Sequence, residues 1–248
     1  MRLALSSGAA PDATFAELLE SAVRRGFAAL ELVEGHAHGV DRGISTADAL
    51  EAAATAASAS VPIAAFRTDD VAEPGLPALA GLAAALDAPV IAGGLAVRDD
   101  DWIRLAAPHF VSAGVDLLLQ TDGSQAELIR ARRTASHWAG GTIGLAWEVD
   151  PASARLDAAS EVLATAGDLI RQVRLRGGGP ESIAQTGMGV GTLMSALALH
   201  AFDGVIALAP STARYRYAWS AWLGRRGGWG CGSKTYEREL ATLTGVNE

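Results

Sequence analysis

The chain has 248 residues, half of them hydrophobic, and its alanine- and glycine-rich composition is enough for one large core or two small ones. A net charge of −8, with no Lys/Arg cluster longer than the short RRGGWGCGSK stretch, argues against nucleic acid as a partner. No apolar run reaches the roughly 20 residues that span a bilayer, Met1 leads into RLALSS without a secretory pattern, and the lone Cys231 excludes an internal disulfide framework, so a cytoplasmic protein with no membrane partner is expected.

Strand-like and helix-like runs alternate along the whole chain, eight of each. The first strand is RLALS (2–6), followed by the helical pattern TFAELLESAVRRG and the second strand AALELVE (28–34). PIAAF (62–66), APVIAGG (88–94) and VDLLLQ (115–120) come next, then ELIRARRTASHWAG with apolar positions three and four apart. TIGLAWE (142–148), RQVRLR (171–176) and GVIALA (204–209) complete the set. Gly26, Gly114 and Gly140 sit where helix C-caps belong, and the acidic run Asp99 to Asp101 reads as a helix N-terminus. This alternation predicts a parallel sheet with helices outside, and eight units in this length predict a (β/α)8 TIM barrel over residues 1–248 as one domain. An open doubly wound sheet is the competitor, but SSGAAPD after strand one is no G-x-G-x-x-G fingerprint.

Barrel function sits at the C-terminal strand ends. There the sequence places Glu34, His36 and His38 after strand two, and Arg67, Asp69 and Asp70 after strand three. Gln120 and Asp122 follow at strand five, Trp147, Glu148 and Asp150 at strand six, and Arg174 and Arg176 at strand seven. Trp147 either packs in the core or stacks on a sugar ring. His109, His137 and His200 belong to helix-like segments and read as packing or solvent residues. Tyr215, Tyr217, Trp219 and Trp222 form an aromatic patch that seals the barrel or meets another subunit, which leaves an oligomer open.

The ordered motifs MRLALSSG, AVRRGFAALEL, GHAHGV, VDLLLQTDG, IGLAWEVDP, VRLRG, TGMGVGTLMSAL and FDGVIALAPS resemble the xylose isomerase-like TIM barrels, which include sugar-phosphate isomerases and epimerases. The resemblance runs nearly end to end and implies a divalent metal held by a Glu, an Asp, a His and a Glu on strands five to eight. Here those positions read Gln120, Glu148, Arg174 and Ala209. Two carboxylates are gone and a permanent cation stands in the His position, so no metal and no other cofactor are expected. His36 and His38 with Glu148 and Asp150 form the alternative ligand set.

Arg174 and Arg176 are two apart, so on a strand they face one way, and the family phase makes that way inward. Buried guanidinium groups need anionic partners. Glu148, or the inward-facing Glu31, supplies one internally, while Arg67, Arg174 and Arg176 together suit a phosphate or carboxylate. The resulting expectation is a metal-free isomerase, epimerase or related lyase for a small, polar, anionic carbohydrate-like molecule. Glu148, His36 or His38 serves as base, Arg174 or Arg176 stabilises the oxyanion, and Arg67, Arg176, Gln120, Trp147 and Asp150 bind substrate. The alternative is an inactive barrel that binds a ligand or partner.

Overall fold

The computed structural model describes residues 1–69, 71–93, 100–138, 142–150, 155–176 and 187–209, the stretch 187–191 as backbone only. Its eight strands are β1 Arg2–Ser6, β2 Ala29–Val33, β3 Ile63–Thr68, β4 Val90–Ala92, β5 Leu117–Thr121, β6 Ile143–Val149, β7 Ile170–Leu175 and β8 Val205–Leu208. Each pairs in parallel with the next, and β8 returns to β1 to close the barrel. The predicted (β/α)8 barrel is therefore the architecture observed, with strand ends moved by one or two residues.

The crossovers among the described residues are α1 Phe15–Arg24, α2 Thr46–Ser58, α3 Leu76–Leu86, α4 Asp100–Ala113, α5 Gln125–Ser136, α6 Leu156–Ala166 and α7 Gly187–Leu199. Local chemistry sets their ends. The Thr14 hydroxyl accepts from the Glu17 N–H, and the Glu17 carboxylate accepts from the Thr14 N–H at 2.9 Å, a capping box that starts α1. Gly26 and Gly114 have the positive φ of C-caps, at 72° and 70°. Asp100 and Asp101 occupy the first turn of α4. Gly140, Asp99, Asp70, Cys231 and the aromatic patch lie outside the described residues. No helix among the described residues is long and apolar enough to cross a membrane.

Strands covered on both faces read as apolar runs, and the departures from that rule mark the interior. Large side chains such as Leu5, Leu30, Leu32, Phe66 and Leu117 fill the layer between sheet and helices. The inward-facing apolar residues form two smaller clusters, rich in alanine: Ala4, Ala29, Val205 and Ala207 in one, Ala65, Ile91, Leu118 and Ala146 in the other. Two residues further along the same strands, toward the C-terminal end, the inward positions become Ser6, Glu31, Arg67, Gln120 and Glu148. The polar layer thus rests on an apolar floor of alanines with Ile91, Leu118 and Val205. Register shifts just before Glu31 on β2 and two positions before Glu148 on β6 adjust the strands that carry its carboxylates.

Candidate functional site at the barrel mouth

At the C-terminal end of the strands a cavity of about 370 Å³ is lined by Glu34, His36, Arg67, Asp69, Gln120, Glu148, Arg174, Arg176 and Ala209, with Ser6 and Gly8 from β1 and the turn after it. Its centre is Arg174. The side chain is 4 % exposed and each of its three nitrogens is committed. Nε and Nη2 donate to the two oxygens of Glu31 at 2.9 and 3.1 Å, a bidentate fork across the barrel. Nη1 donates to Glu148, its register partner on β6, and at a longer 3.4 Å to Gln120 Oε1.

Glu31 is 0 % exposed and also accepts from the Ser6 hydroxyl at 2.6 Å and from Gln172 Nε2 at 2.5 Å. Burial alone would raise its pKa, but the charge and hydrogen bonds of Arg174, with Ser6, hold it below the ordinary carboxylate value. Burial works against the Arg174 charge as well, and the Glu31 and Glu148 carboxylates outweigh it, so the guanidinium stays protonated. Arg67 and Arg176 line the same cavity, but Arg176, expected to be buried and inward beside Arg174, lies one residue past β7 with its side chain mostly exposed. Arg67 donates from Nε to Gln120 at 3.2 Å and from Nη2 to Asp69 at 2.7 Å. Arg176 is 58 % exposed, its Nη1 3.6 Å from Glu148.

The loop after β2 is tied down by Glu34. Arg42 donates to it from Nε and Nη2, both at 2.6 Å, and the Thr68 hydroxyl adds a bond at 2.5 Å. Burial would raise the Glu34 pKa, but Arg42 and Thr68 lower it overall. The same loop presents His36 to the cavity, with Nδ1 3.0 Å from the hydroxyl of Ser7, which in turn accepts from the Val33 N–H.

Six of the nine residues selected from sequence therefore share the cavity: His36, Arg67, Gln120, Glu148, Arg174 and Arg176. His38 is not brought there. It is buried, with Nε2 on the Val33 carbonyl at 2.8 Å and Nδ1 accepting from the Val40 N–H at 3.0 Å, so both nitrogens serve the loop backbone. Burial, opposed by the Val33 carbonyl, pushes its pKa below the usual histidine value. Trp147 is turned outward into the core, close against Gly123, and with Asp150 lines a separate depression beside β5 and β6. Sequence reasoning missed Ser6, Gln172 and Arg42. The first two carried a readable signal, a polar residue at an inward strand position, while Arg42 lies in a loop with no periodicity to read.

No family model matches the chain, and neither does any curated protein. Solved structures do. A D-psicose 3-epimerase determined with D-fructose superposes with a TM-score of 0.66 at 12 % identity, covering 99 % of this chain and 97 % of the other. The 3-keto-D-glucoside 4-epimerase YcjR from E. coli gives 0.64 at 14 %, covering 90 % and 98 %. A xylose isomerase domain protein from Planctomyces limnophilus gives 0.59 at 11 %, covering 98 % and 97 %. The chain has the fold of the xylose isomerase-like TIM barrels. At these identities the likeness is one of fold, and the chemistry has to be read from the side chains.

In this barrel the four positions at which the resemblance implies metal ligands, Gln120, Glu148, Arg174 and Ala209, do line one cavity. They do not fit a divalent cation. A neutral amide and a methyl group replace two carboxylates, and the guanidinium spans the positions of Gln120 and Glu148 with its own N–H groups. Among the described residues no group of three or more His, Cys, Asp or Glu is placed to hold a metal ion.

Proposed function

We propose that this barrel acts without a divalent metal, as an isomerase or epimerase on a small, polar, anionic carbohydrate-like molecule bound at its C-terminal mouth. The observation that carries the reading is Arg174, a fixed cation bonded to Glu31, Glu148 and Gln120. It supplies permanent positive charge at the base of a polar cavity where the resemblance implies a metal. Structures with this fold are named as sugar epimerases, which supports the reaction class.

Moving a proton beside a carbonyl needs a base and a stabiliser for the oxyanion. Epimerisation also needs acid–base groups on two faces of the carbon. Glu148 on β6 and His36 after β2 stand four strands apart in the eight-stranded ring, on opposite sides of the mouth. They take the two proton-transfer roles, and Arg67 and Arg176 neutralise the developing charge. Chelator-treated protein incubated in D2O with ketoses, aldoses and their acid and phosphate forms should wash deuterium into the carbon beside the carbonyl, read by proton NMR. Glu148→Gln and His36→Asn should each abolish the exchange.

A second reading is favoured by Gln120 and Ala209, neither of which transfers protons. In that reading the cavity binds the same class of molecule without turning it over. Saturable binding with no exchange for any sugar tested would select it and sink the catalytic proposal.

A further inference from the structure

The orientation of the Gln120 amide is fixed by its neighbours. Two guanidinium groups, Arg67 at 3.2 Å and Arg174 at 3.4 Å, donate to one atom of it, and only the carbonyl oxygen can accept both. Reversing the amide would set N–H groups against N–H groups. Nε2 therefore forms the other arm, with two donors that have no partner among the described residues, on a side chain that lines the cavity. A position that the resemblance makes a cation-binding carboxylate is here a hydrogen-bond donor.

The same wall holds Arg67 and Arg176. Arg67 uses Nε and Nη2 within the protein, and Nη1 has no partner among the described residues. Arg176 makes one loose approach to Glu148, at 3.6 Å. Arg174 is different, because its nitrogens are consumed by Glu31, Glu148 and Gln120. Among the described residues the side-chain donors on this wall are thus an amide and two guanidinium groups, which suit an acceptor with more than one oxygen.

Charge decides which acceptor. Among the described residues around the cavity and directly behind it, the four guanidinium groups of Arg42, Arg67, Arg174 and Arg176 balance the four carboxylates of Glu31, Glu34, Asp69 and Glu148. Against that balance a monoanion needs only the local donors. A phosphate ester, at roughly −1.5 to −2 near neutral pH, would bring a second charge close to Asp69 and Glu148. A planar carboxylate also matches the guanidinium fork and the amide. The cavity, at about 370 Å³, lies at the low end of ligand sites, which suits a single small polyol. Its hydroxyl groups would find acceptors in Glu148 and Asp69.

We propose that the ligand is a sugar acid, a polyhydroxylated monocarboxylate whose carboxylate is held by Gln120 Nε2, Arg67 and Arg176. This rests on the reading that the cavity takes a small anionic carbohydrate-like molecule, and it names the anion.

The test is calorimetric titration of chelator-treated protein with D-gluconate, D-glucuronate and D-galacturonate, beside D-glucose, D-galactose and D-glucose 6-phosphate. At least one acid should bind about tenfold or more tightly than its neutral and phosphorylated counterparts. Gln120→Glu keeps the shape and both guanidinium partners but replaces the donor with a carboxylate. It should weaken the acid by at least about tenfold, the loss of one charge-assisted hydrogen bond, with the unfolding midpoint maintained. Arg176→Met, at an exposed position, should weaken it as well. Equal or tighter binding of the neutral or phosphorylated sugars, failure of all three acids to bind, or acid binding unchanged by Gln120→Glu would each overturn the proposal. Acid binding without deuterium exchange would leave it standing while refuting catalysis, and exchange confined to neutral sugars would do the reverse.

Discussion

Replacing Arg174 by methionine removes the charge and keeps much of the side-chain volume. Glu31, at 0 % exposure, would retain the Ser6 and Gln172 hydrogen bonds but lose its bidentate cation. Breaking one side of a buried ion pair costs about 3–5 kcal/mol. For a chain of this length each kcal/mol moves the thermal midpoint by roughly 2–4 °C, so a fall of roughly 6–20 °C is expected. The pH dependence gives a sharper check. In the native protein the Glu31 pKa is lowered, so its contribution is complete above the unfolded value of about 4.3 and is lost as pH falls through the lower folded value. Without Arg174, burial dominates and the folded pKa rises above the unfolded one. That contribution is present at low pH and lost as pH rises. The gap between the two proteins is therefore widest near neutrality and narrows toward about pH 4. Urea unfolding monitored by circular dichroism across this range measures it. A loss under about 1 kcal/mol near neutral pH, or a gap that widens on acidification, would refute the assignment of Arg174 as the cation holding Glu31 ionised. Adding Glu31→Leu to Arg174→Met should recover most of the loss, because an apolar pair leaves no charge uncompensated.

His38, held neutral by burial, has a folded pKa below 6.5, so its contribution is complete above that value and declines as pH falls. His38→Gln should flatten the slope of stability against pH as pH falls below about 6.5, read from urea midpoints, and an unchanged slope would place the titration elsewhere. Manganese added to chelator-treated protein should leave the melting temperature unmoved, whereas a site filled at about 100 times its dissociation constant would add roughly 2.7 kcal/mol, or roughly 5–10 °C. Gln120→Glu, Arg174→His and Ala209→Glu combined should create that response beside Glu148.

The barrel was legible because its evidence is periodic and repeated: apolar strand runs, helical spacings and capping glycines recur in a fixed order. The two-residue strand period put Arg174 and Arg176 on one side and the resemblance made that side inward, which holds for the buried Arg174 but not for Arg176, one residue past the end of β7 and mostly exposed. The period did not show that Glu31 and Glu148 would share a single guanidinium, since that depends on barrel diameter and on the register shifts in β2 and β6. His38 failed for a different reason. A His-x-His pair on a loop looks the same in sequence whether its nitrogens face a cavity or close a turn, and only the Val33 and Val40 contacts separate the two. Trp147 is the outward neighbour of the inward Glu148, so strand alternation already directed it to the helix layer.

The ion-pair network has a topological side. Glu31 and Ser6 belong to the first four strands, while Gln120, Glu148, Gln172 and Arg174 belong to the last four. Arg174 finds Glu148 and Gln120 within its own half, but Glu31 finds its hydrogen-bonded cation only across a separation of 143 residues, the Arg67 charge on β3 acting on it without a bond. The two halves are therefore unequal in self-sufficiency. An N-terminal half that collapsed first would enclose a carboxylate with one hydroxyl bond and the unbonded Arg67 charge for company, an expensive arrangement. Closure of the ring relieves that cost in a single event, and this couples burial of the first half to arrival of the seventh strand. Contacts of such long sequence separation slow folding, and the charge at the barrel's centre favours completion of the whole ring over persistence of its parts.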